Sequence, residues 1–550
     1  MNKRIILSIA AVLLLIAAGW RVSMLDTDSA RERDEPAPFG KFKQPVALRV
    51  GMGVDPNFKT YTGETPANNP WVQAIKEQLN VDIKIAWIVA NQNMDQKMDL
   101  AITSNTLPDA MVVSLFQLKQ MIRADELADL TGVYRDYASP VMKRIIEGTH
   151  GEALEEAVVD GKMLALPSVG AEDVSMMWIR KDWLDRLGLR PPASMEELEL
   201  TAKAFVERDP DGNGRADTIG IAADASLYDD FQSGPGSFNF NPIFSAYDAY
   251  PGFWLKGSDG KAVYGSIQPE VKAALAKLRD LYAKGLIDQE MGIRESAAEV
   301  VINGKAGIFF APYSGGYWPV PEALKNNPRA NWQAYALPLD EKGKFNAKVF
   351  NRTQSFIVVR KGYEHPEAVI QVANLILRDE YKYGTEFQPL RNPLAPRDEI
   401  SVSAKAIVDV LAGTRKLEDF SGMDEYPLLA NDLAAIRDAK LPPYDNTDIT
   451  YWKARDKNFK RAYSLMVGGR NLLDPHLNRI YSLYHSFTPA MESGWKHLKD
   501  TENDVFTQII MGIAPIEAFD EWVVSWKEQG GEQITAEVTK QLNKETGSGS

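Results

Sequence analysis

Apolar and polar positions change period several times within the first stretch of foldable chain. Residues 44–50 alternate as a short strand, which Gly51 and Gly53 end. Pro56 stands where a dinucleotide fingerprint would need its third glycine, so these glycines imply no nucleotide site. Asn69 followed by Pro70 predicts a helix start, and Val72, Ile75 and Leu79 place an apolar stripe along residues 71–79. Residues 81–87 alternate as a strand, 94–103 read as a helix, and 107–113 form an apolar run of strand length. This order of strand, helix, strand, helix, strand predicts a parallel sheet covered by helices.

The pattern continues with helix character at 140–146, a Gly-punctuated stretch at 159–167 and an apolar run opening residues 176–188. Ser194 and Glu197 form a capping box, starting a helix that leads into a polar loop. Residues 268–284 read as a long amphipathic helix, 304–310 and 350–360 as strands, and 365–378 as a helix. Beyond residue 380 the chain reads as mostly helical, broken by a Pro/Asp/Asn-rich stretch at 441–447. It contains no internal repeat.

The polar loop after the capping box carries a metal-binding pattern. Asp209, Asp211 and Asn213 fall at alternate positions, Gly214 stands where a sharp turn is needed, and Asp217 occupies the ninth place. That is the spacing of an EF-hand-type calcium loop, whose oxygen donors lie about 2.3–2.6 Å from the ion. Arg215 would supply its backbone carbonyl, and Thr218 its hydroxyl or carbonyl. At position twelve an EF-hand carries a bidentate Glu, and this chain has Gly220. The alternative is a Gly-rich surface turn without metal. No flanking helix pair is implied, so the expected role is a structural Ca2+ clamp rather than a sensor.

Composition narrows the function. The 550 residues carry a net charge of −13, which gives no basic surplus for phosphate contacts and argues against nucleic acid. The absence of cysteine excludes disulfides, thiolate metal sites and a cysteine nucleophile. His150, His365, His476, His485 and His497 are scattered and form no zinc motif. Neither a Gly-x-Ser-x-Gly elbow nor a P-loop is present, so no enzymatic activity is expected. At the N-terminus, Lys3 and Arg4 precede an apolar run from Ile5 to Ala18. Residues 1–23 read as a signal peptide or an uncleaved anchor, and 24–44 as a flexible tether. Ala17-Ala18-Gly19 resembles a lipobox in which Trp20 replaces the acceptor cysteine, so no lipid is expected there. Either outcome places the remainder outside the cytoplasmic membrane. Residues 547–550 form a short Gly/Ser tail set apart from the fold.

Several phrases carry a family resemblance. Asp160-Gly-Lys-Met-Leu-Ala-Leu-Pro167, Ile179-Arg-Lys-Asp-Trp-Leu184, Gly304-Lys-Ala-Gly-Ile-Phe309 and the stretch 506–520 with Trp522 and Trp526 are similar to family 1 extracellular solute-binding proteins of ABC importers. The 209–217 loop resembles the calcium loop of the alginate-binding branch, although some members have an acid where Thr218 stands. The resemblance covers about residues 45–543. It implies an α/β, two-lobed periplasmic-binding-protein-like fold with a ligand cleft between the lobes. One lobe is expected from 45–168 plus about 350–410, the other from 170–345 plus about 411–543. It further implies a monomer that captures an oligosaccharide, neutral or acidic, and delivers it to a membrane permease. A peptide or other polar ligand, or a secreted polysaccharide-degrading enzyme, are the rival readings.

Aromatic residues supply the candidate ligand contacts, because a ring offers apolar area to the C–H face of a sugar. Phe231, Phe238 and Phe240, with Asn239, follow the calcium loop among small polar residues. Tyr313, Tyr317 and Trp318 lie just past strand 304–310, where the family resemblance implies sugar-stacking rings. Phe487 and Tyr484 precede Thr488-Pro489, near another cleft loop by resemblance, and Phe116 is expected to face the Phe238–Phe240 pair from the first lobe. Trp178 and Trp183 are assigned to the core.

Overall fold

The computed structural model describes residues 37–54, 63–90, 93–294, 296–351, 353–384, 387–423, 425–439 and 457–547. The N-terminal targeting segment and the 441–447 break lie outside the described residues. The elements that build the cleft are strands β1 (Val46–Val54), β2 (Val81–Ala90), β3 (Ala110–Val113), β4 (Leu166–Pro167), β5 (Met176–Arg180), β6 (Ile219–Ile221), β7 (Ala306–Ala311), β8 (Trp332–Tyr335), β9 (Phe345–Val349), β10 (Phe356–Val359) and β11 (Leu477–Tyr481).

The first sheet runs in the order β2-β1-β3-β10-β4. β1 pairs in parallel with β2 and with β3, as the alternating pattern predicts, while β10 pairs antiparallel with β3 and β4. The helix Pro70–Leu79 between β1 and β2 starts as expected, its free amides at Trp71 and Val72 donating to the Asn69 side chain. Strands β3 and β10 are buried on both faces, while β1 and β2 expose alternate residues. Ile357 and Val359 belong to one apolar cluster and Phe356 and Val358 to another, the period-two signature of a doubly covered strand.

The second sheet runs β8-β5-β7-β6. β7 is parallel to β6 but antiparallel to β5, so it is not part of an all-parallel sheet. Here too alternate residues separate: Met177, Ile179, Ile308 and Phe310 face one cluster, Met176, Trp178, Phe309 and Ala311 the other. Trp178 and Trp183 are core residues. The helix Glu399–Leu411 packs Ile400, Ala404 and Ile407 with Trp332 of the second sheet. The return to the first lobe therefore ends before residue 399, earlier than the 410 expected, because the helix's apolar face meets the second sheet. The tether is also shorter than 24–44. The Gln371 side chain donates to the Ala37 and Gly40 carbonyls, and Asn374 donates to that of Pro38, so residues 37–44 belong to the packed first lobe.

The chain passes between the sheets at three described places, and these passages lie side by side. After β4, the Ser168 hydroxyl accepts from the amides of Gln354 (3.0 Å) and Ser355 (3.1 Å). The Thr353 hydroxyl donates to the Ser168 carbonyl at 3.0 Å. The third passage joins them through Val169, whose amide donates to the Pro393 carbonyl and whose carbonyl accepts from Ala395. Residues 350–351 and 353–355, read from sequence as strand, belong to the second passage, and the strand itself begins at Phe356.

Beneath the second lobe's surface lies a buried charge network. The Lys348 ammonium donates to the carbonyls of Asp229 and Pro251 (2.7 Å) and to the Asn241 side-chain oxygen (3.1 Å). Its nitrogen stands 4.7 Å from the Phe253 ring centre. Burial pushes its pKa down to about 7, against the pull of Asp229. Three oxygen acceptors match the three ammonium protons. Lys348→Met leaves the Asp229 and Pro251 carbonyls without this donor, while the Asn241 oxygen keeps the Asp229 amide, and should lower unfolding stability by about 3–5 kcal/mol in urea titrations. A loss below about 1 kcal/mol would mean the network contributes little.

Candidate functional site

The two sheets face each other across a cleft whose rear wall is the crossing segments. Glu172, on the first passage, donates its amide to the Arg397 carbonyl of the third at 2.6 Å, and its carboxylate pairs with Arg479 on β11. Tyr481, at the end of β11, is 46% exposed beside this pair. Next to Glu172, the Asp173 carboxylate accepts from the amides of Val174 (2.8 Å) and Tyr313 (3.2 Å). One acid thereby ties the rear wall to the turn after β7.

The lobes meet at the front through helix Leu115–Arg123, which follows β3, and the start of helix Pro489–Ile510. Phe116 and Phe487 contact edge to face at 5.8 Å. The Lys119 ammonium donates to the Ser486 hydroxyl, and Arg123 pairs with Glu492 at 2.7 Å. The helix is oriented for this by a capping box, Ser114 with Gln117, and by Leu118 and Met121 buried on its inner face.

The remaining expected contacts divide. Trp318 is 51% exposed just past the β7 turn, and Tyr313 and Tyr317 are half-buried with their rings 6.0 Å apart. Burial pushes the Tyr317 phenol up to about 12, against the nearby Arg461 guanidinium, which holds Asp432 at 2.8 Å and Glu399 at 2.6 Å. Gly315 and Gly316 serve close packing rather than a left-handed turn. A Cβ at Gly316 would lie 2.3 Å from the Ser464 hydroxyl, and one at Gly315 2.7 Å from the Trp178 ring.

Phe238, Asn239 and Phe240 were expected to face the ligand, and the structure places all three inside the lobe, along with Phe231. The cause is the buried Asp229 carboxylate, which takes hydrogen bonds from Asn239 (2.8 Å) and Asn241 (2.6 Å). Phe238, at φ 66°, turns its ring onto Phe309 at 5.5 Å, and Phe240 sits in the core with Ile243. Glu172, Asp173, Arg479, Tyr481 and Arg461 were missed. No local motif marks them, and only the folded crossings bring them together.

In the 209–217 loop, both oxygens of Asp209 accept backbone amides, of Asn213 (3.1 Å) and Gly214 (3.0 Å). Gly214 has φ 74°, the left-handed turn that its position requires. The Asn213 side-chain nitrogen donates to Asp211 (2.7 Å) and Asp217 (3.0 Å), so the acids gather around one amide. Burial and the charges of Asp209 and Asp217 raise the Asp211 pKa. Among the described residues no group of three or more acidic or histidine side chains stands ready to hold a metal. The donor chemistry fits a hard cation in kind, since crowded carboxylates and carbonyls are its ligands. One donor departs from expectation: the Thr218 hydroxyl is buried and donates to the Phe205 carbonyl at 2.6 Å, away from the loop. Arg215 is exposed, leaving its carbonyl as the available group.

The sequence profile of the bacterial extracellular solute-binding protein family matches residues 62–383, more than half of the chain. The chain belongs to this family. Lipoprotein LipO of Bacillus subtilis is 26% identical over 251 residues, 44% of this chain and 47% of LipO. The fructooligosaccharide ABC transporter substrate-binding protein FusA of Streptococcus pneumoniae is 28% identical over 249 residues, 42% of this chain and 45% of FusA. The polygalacturonan/rhamnogalacturonan-binding protein YtcQ of Bacillus subtilis is 25% identical over 252 residues, 45% of this chain and 47% of YtcQ. The chain therefore covers about half the length of these relatives. Among solved structures, alginate-binding protein AlgQ2 without calcium ion superposes with a TM-score of 0.60 at 16% identity, over 91% of this chain and 99% of AlgQ2. The S. pneumoniae FusA EF-hand mutant in complex with fructo-nystose gives 0.60 at 17% identity over the same shares. At such identity the likeness is one of fold, and it bears out the two-lobed α/β solute-binding architecture. The family members compared are binding proteins. No helix among the described residues is long and apolar enough to cross a membrane.

The front contact between the lobes combines an edge-to-face ring pair, worth about 0.5–1.5 kcal/mol, with an exposed ion pair worth about 0.2–1 kcal/mol. Arg123→Glu sets two carboxylates against each other and should open the cleft, read as a larger radius of gyration in small-angle scattering. The exchange Arg123→Glu/Glu492→Arg should return it to the parent value. An unchanged radius in the single variant would mean these contacts do not hold the lobes together.

Proposed function

We propose that this protein captures an oligosaccharide in the interlobe cleft, outside the cytoplasmic membrane, and delivers it to the permease of an ABC importer. It acts as a monomer and by binding, with no catalytic step. The observation that carries this reading is the cleft of a solute-binding chain, with aromatic rings on both lobes beside polar groups. Phe116 meets Phe487 at its front, and Tyr481 and Trp318 keep half their surface open. Rings stack on sugar faces while guanidinium and carboxylate groups bond the hydroxyls. Hinge closure brings both lobes onto the ligand. The relatives named for fructooligosaccharide and for polygalacturonan support a sugar and differ in its charge.

Trp318 stacks on the sugar in this account. Trp318→Ala should weaken binding of the best oligosaccharide by about tenfold, about 1.4 kcal/mol. Unfolding stability should change far less than the ~3–5 kcal/mol of an emptied core site. Calorimetric titration and urea unfolding measure the two. A large loss of stability with affinity intact would return Trp318 to a packing role. A panel that includes peptides and tests for reducing-end release separates the sugar carrier from a peptide carrier or a degrading enzyme.

The 209–217 loop holds Ca2+ as a structural clamp, with Asp209, Asp211, Asn213 and Asp217 as side-chain donors and Arg215 through its carbonyl. The ion supplies charge neutralisation for crowded acids at the end of helix Met195–Glu207. A structural neighbour described without calcium ion and another with an EF-hand mutation support this. Chelation should lower the melting temperature, and added Ca2+ should restore it by mass action. Asp211→Ala should abolish that response. An unchanged melting temperature after verified metal removal would mean that the loop is a plain surface turn.

A further inference from the structure

We infer that the helix Lys457–Val467 is the positioning element of the proposed ligand turn, with Arg461, Ser464 and Gly468 setting where Trp318 stands. This rests on the proposed reading of Trp318 as a ligand contact. The three residues recur at intervals of three and four, which places them on one side of the helix. Gly468 continues the helical pattern by donating its amide to the Ser464 carbonyl at 2.8 Å. Each of the three meets a different part of the turn after β7. A Cβ at Gly316 would lie 2.3 Å from the Ser464 hydroxyl, and one at Gly468 would lie 2.7 Å from the Tyr313 Cα. Backbone runs against backbone here, and only glycine or a small side chain allows the approach. The charge of Arg461 reaches the phenols of Tyr313 and Tyr317, where it opposes the rise that burial imposes on both.

The helix is itself fixed from behind. The Tyr463 hydroxyl donates to the Trp332 carbonyl on β8. Just past the helix, the Asn471 side chain donates to the Ala334 carbonyl and accepts from the Ala336 amide, both at 3.2 Å. Arg461 is held by acids on two further helices. Its Nε donates to Asp432, on Leu429–Ala439, at 2.8 Å, and its Nη2 to Glu399, on Glu399–Leu411, at 2.6 Å. A planar guanidinium bridges two carboxylates in fixed directions, which a lysine ammonium does not. Second sheet, helix and turn therefore form one stack. Trp318 is 51% exposed, so it takes its place from the backbone beneath it, where its amide donates to the Ser314 carbonyl at 3.2 Å, rather than from packing of its ring.

The test needs no ligand. Fluorotryptophan labelling of the whole protein gives a fluorine resonance for each of the 12 tryptophans, and Trp318→Phe identifies the one that belongs to the turn. Gly468→Ala pushes from the helix side and Gly316→Ala from the turn side, so both should shift the Trp318 resonance. Deuterium exchange at the Tyr317 and Trp318 amides should quicken by on the order of tenfold in each, while the amides of β7 keep parent rates. Arg461→Lys, which keeps the charge but loses the fork, should quicken the same two amides. A Trp318 resonance and turn exchange rates unmoved in both alanine variants would overturn the inference. Faster exchange spread evenly through β7 would overturn it too, because that marks general loosening rather than positioning. The alanine variants decide the question even if Arg461→Lys does not fold. Titration of the parent with fructooligosaccharides and oligogalacturonates tests the sugar reading separately, and its failure there is distinguishable because the resonance and exchange data involve no sugar.

Discussion

Three passages of chain must run between two sheets whose central strands are buried on both faces. Buried backbone must be hydrogen-bonded, and here the passages satisfy one another. Ser168 is the centre of this arrangement. It is 2% exposed, its hydroxyl accepts two amides of the second passage, and its own amide donates to Ser355 at 2.8 Å. Asn392 extends the tie to the third passage by accepting from the Ser355 hydroxyl. The passages are bound to one another and also to the cores they leave, Val169 packing with the first lobe and Val174 with the second. A hinge needs a few residues that absorb rotation between rigid bodies, and both sheets, buried through their central strands, are rigid enough to be those bodies.

The same passages carry polar chemistry to the cleft. Glu172 and Asp173 follow Ser168 by only a few residues, and they engage Arg479 and the turn that presents Tyr313 and Trp318. Rear wall and proposed ligand surface are thus one piece of structure. The second lobe holds its own surface in place from below. Lys348 on β9 fixes the 229–241 loop, and Glu502 accepts from the Tyr228 and Tyr264 hydroxyls to fix helix Pro489–Ile510. Fully satisfied buried networks of this kind rigidify a core. That rigidity keeps Phe487 and Glu492 in register with Phe116 and Arg123 across the front.

The first sheet was legible in the sequence because its order is local: alternation, Asn69-Pro70 capping and the run to Val113 each announce an element within about ten residues. The pairing of β9 with β11 was not, since Asn346 and Asn478 meet across 132 residues with no periodic signal to connect them. The 229–241 loop misled for a physical reason. Asn, Ser and Gly around two phenylalanines look like a solvent-facing loop, but Asp229 and Lys348, 119 residues apart, need those amides as partners in the interior. Residues 37–44 misled in the same way, because Gln371 and Asn374 claim a segment that has tether-like neighbours. Trp318 and Phe116, expected as ligand contacts, are exposed, and that role stays a proposal, while the charged partners of the rear wall left no local trace.

If the two lobes close on a bound oligosaccharide, the distance between them must change with binding. The chain has no cysteine, so cysteines placed at Leu100 on the first lobe and Ile513 on the second, exposed by 58% and 69%, accept spin labels selectively. Pulsed dipolar spectroscopy should show a broad distance distribution without sugar that shifts and narrows at saturating oligosaccharide. A distribution unchanged by sugar that calorimetry shows to be bound would contradict it.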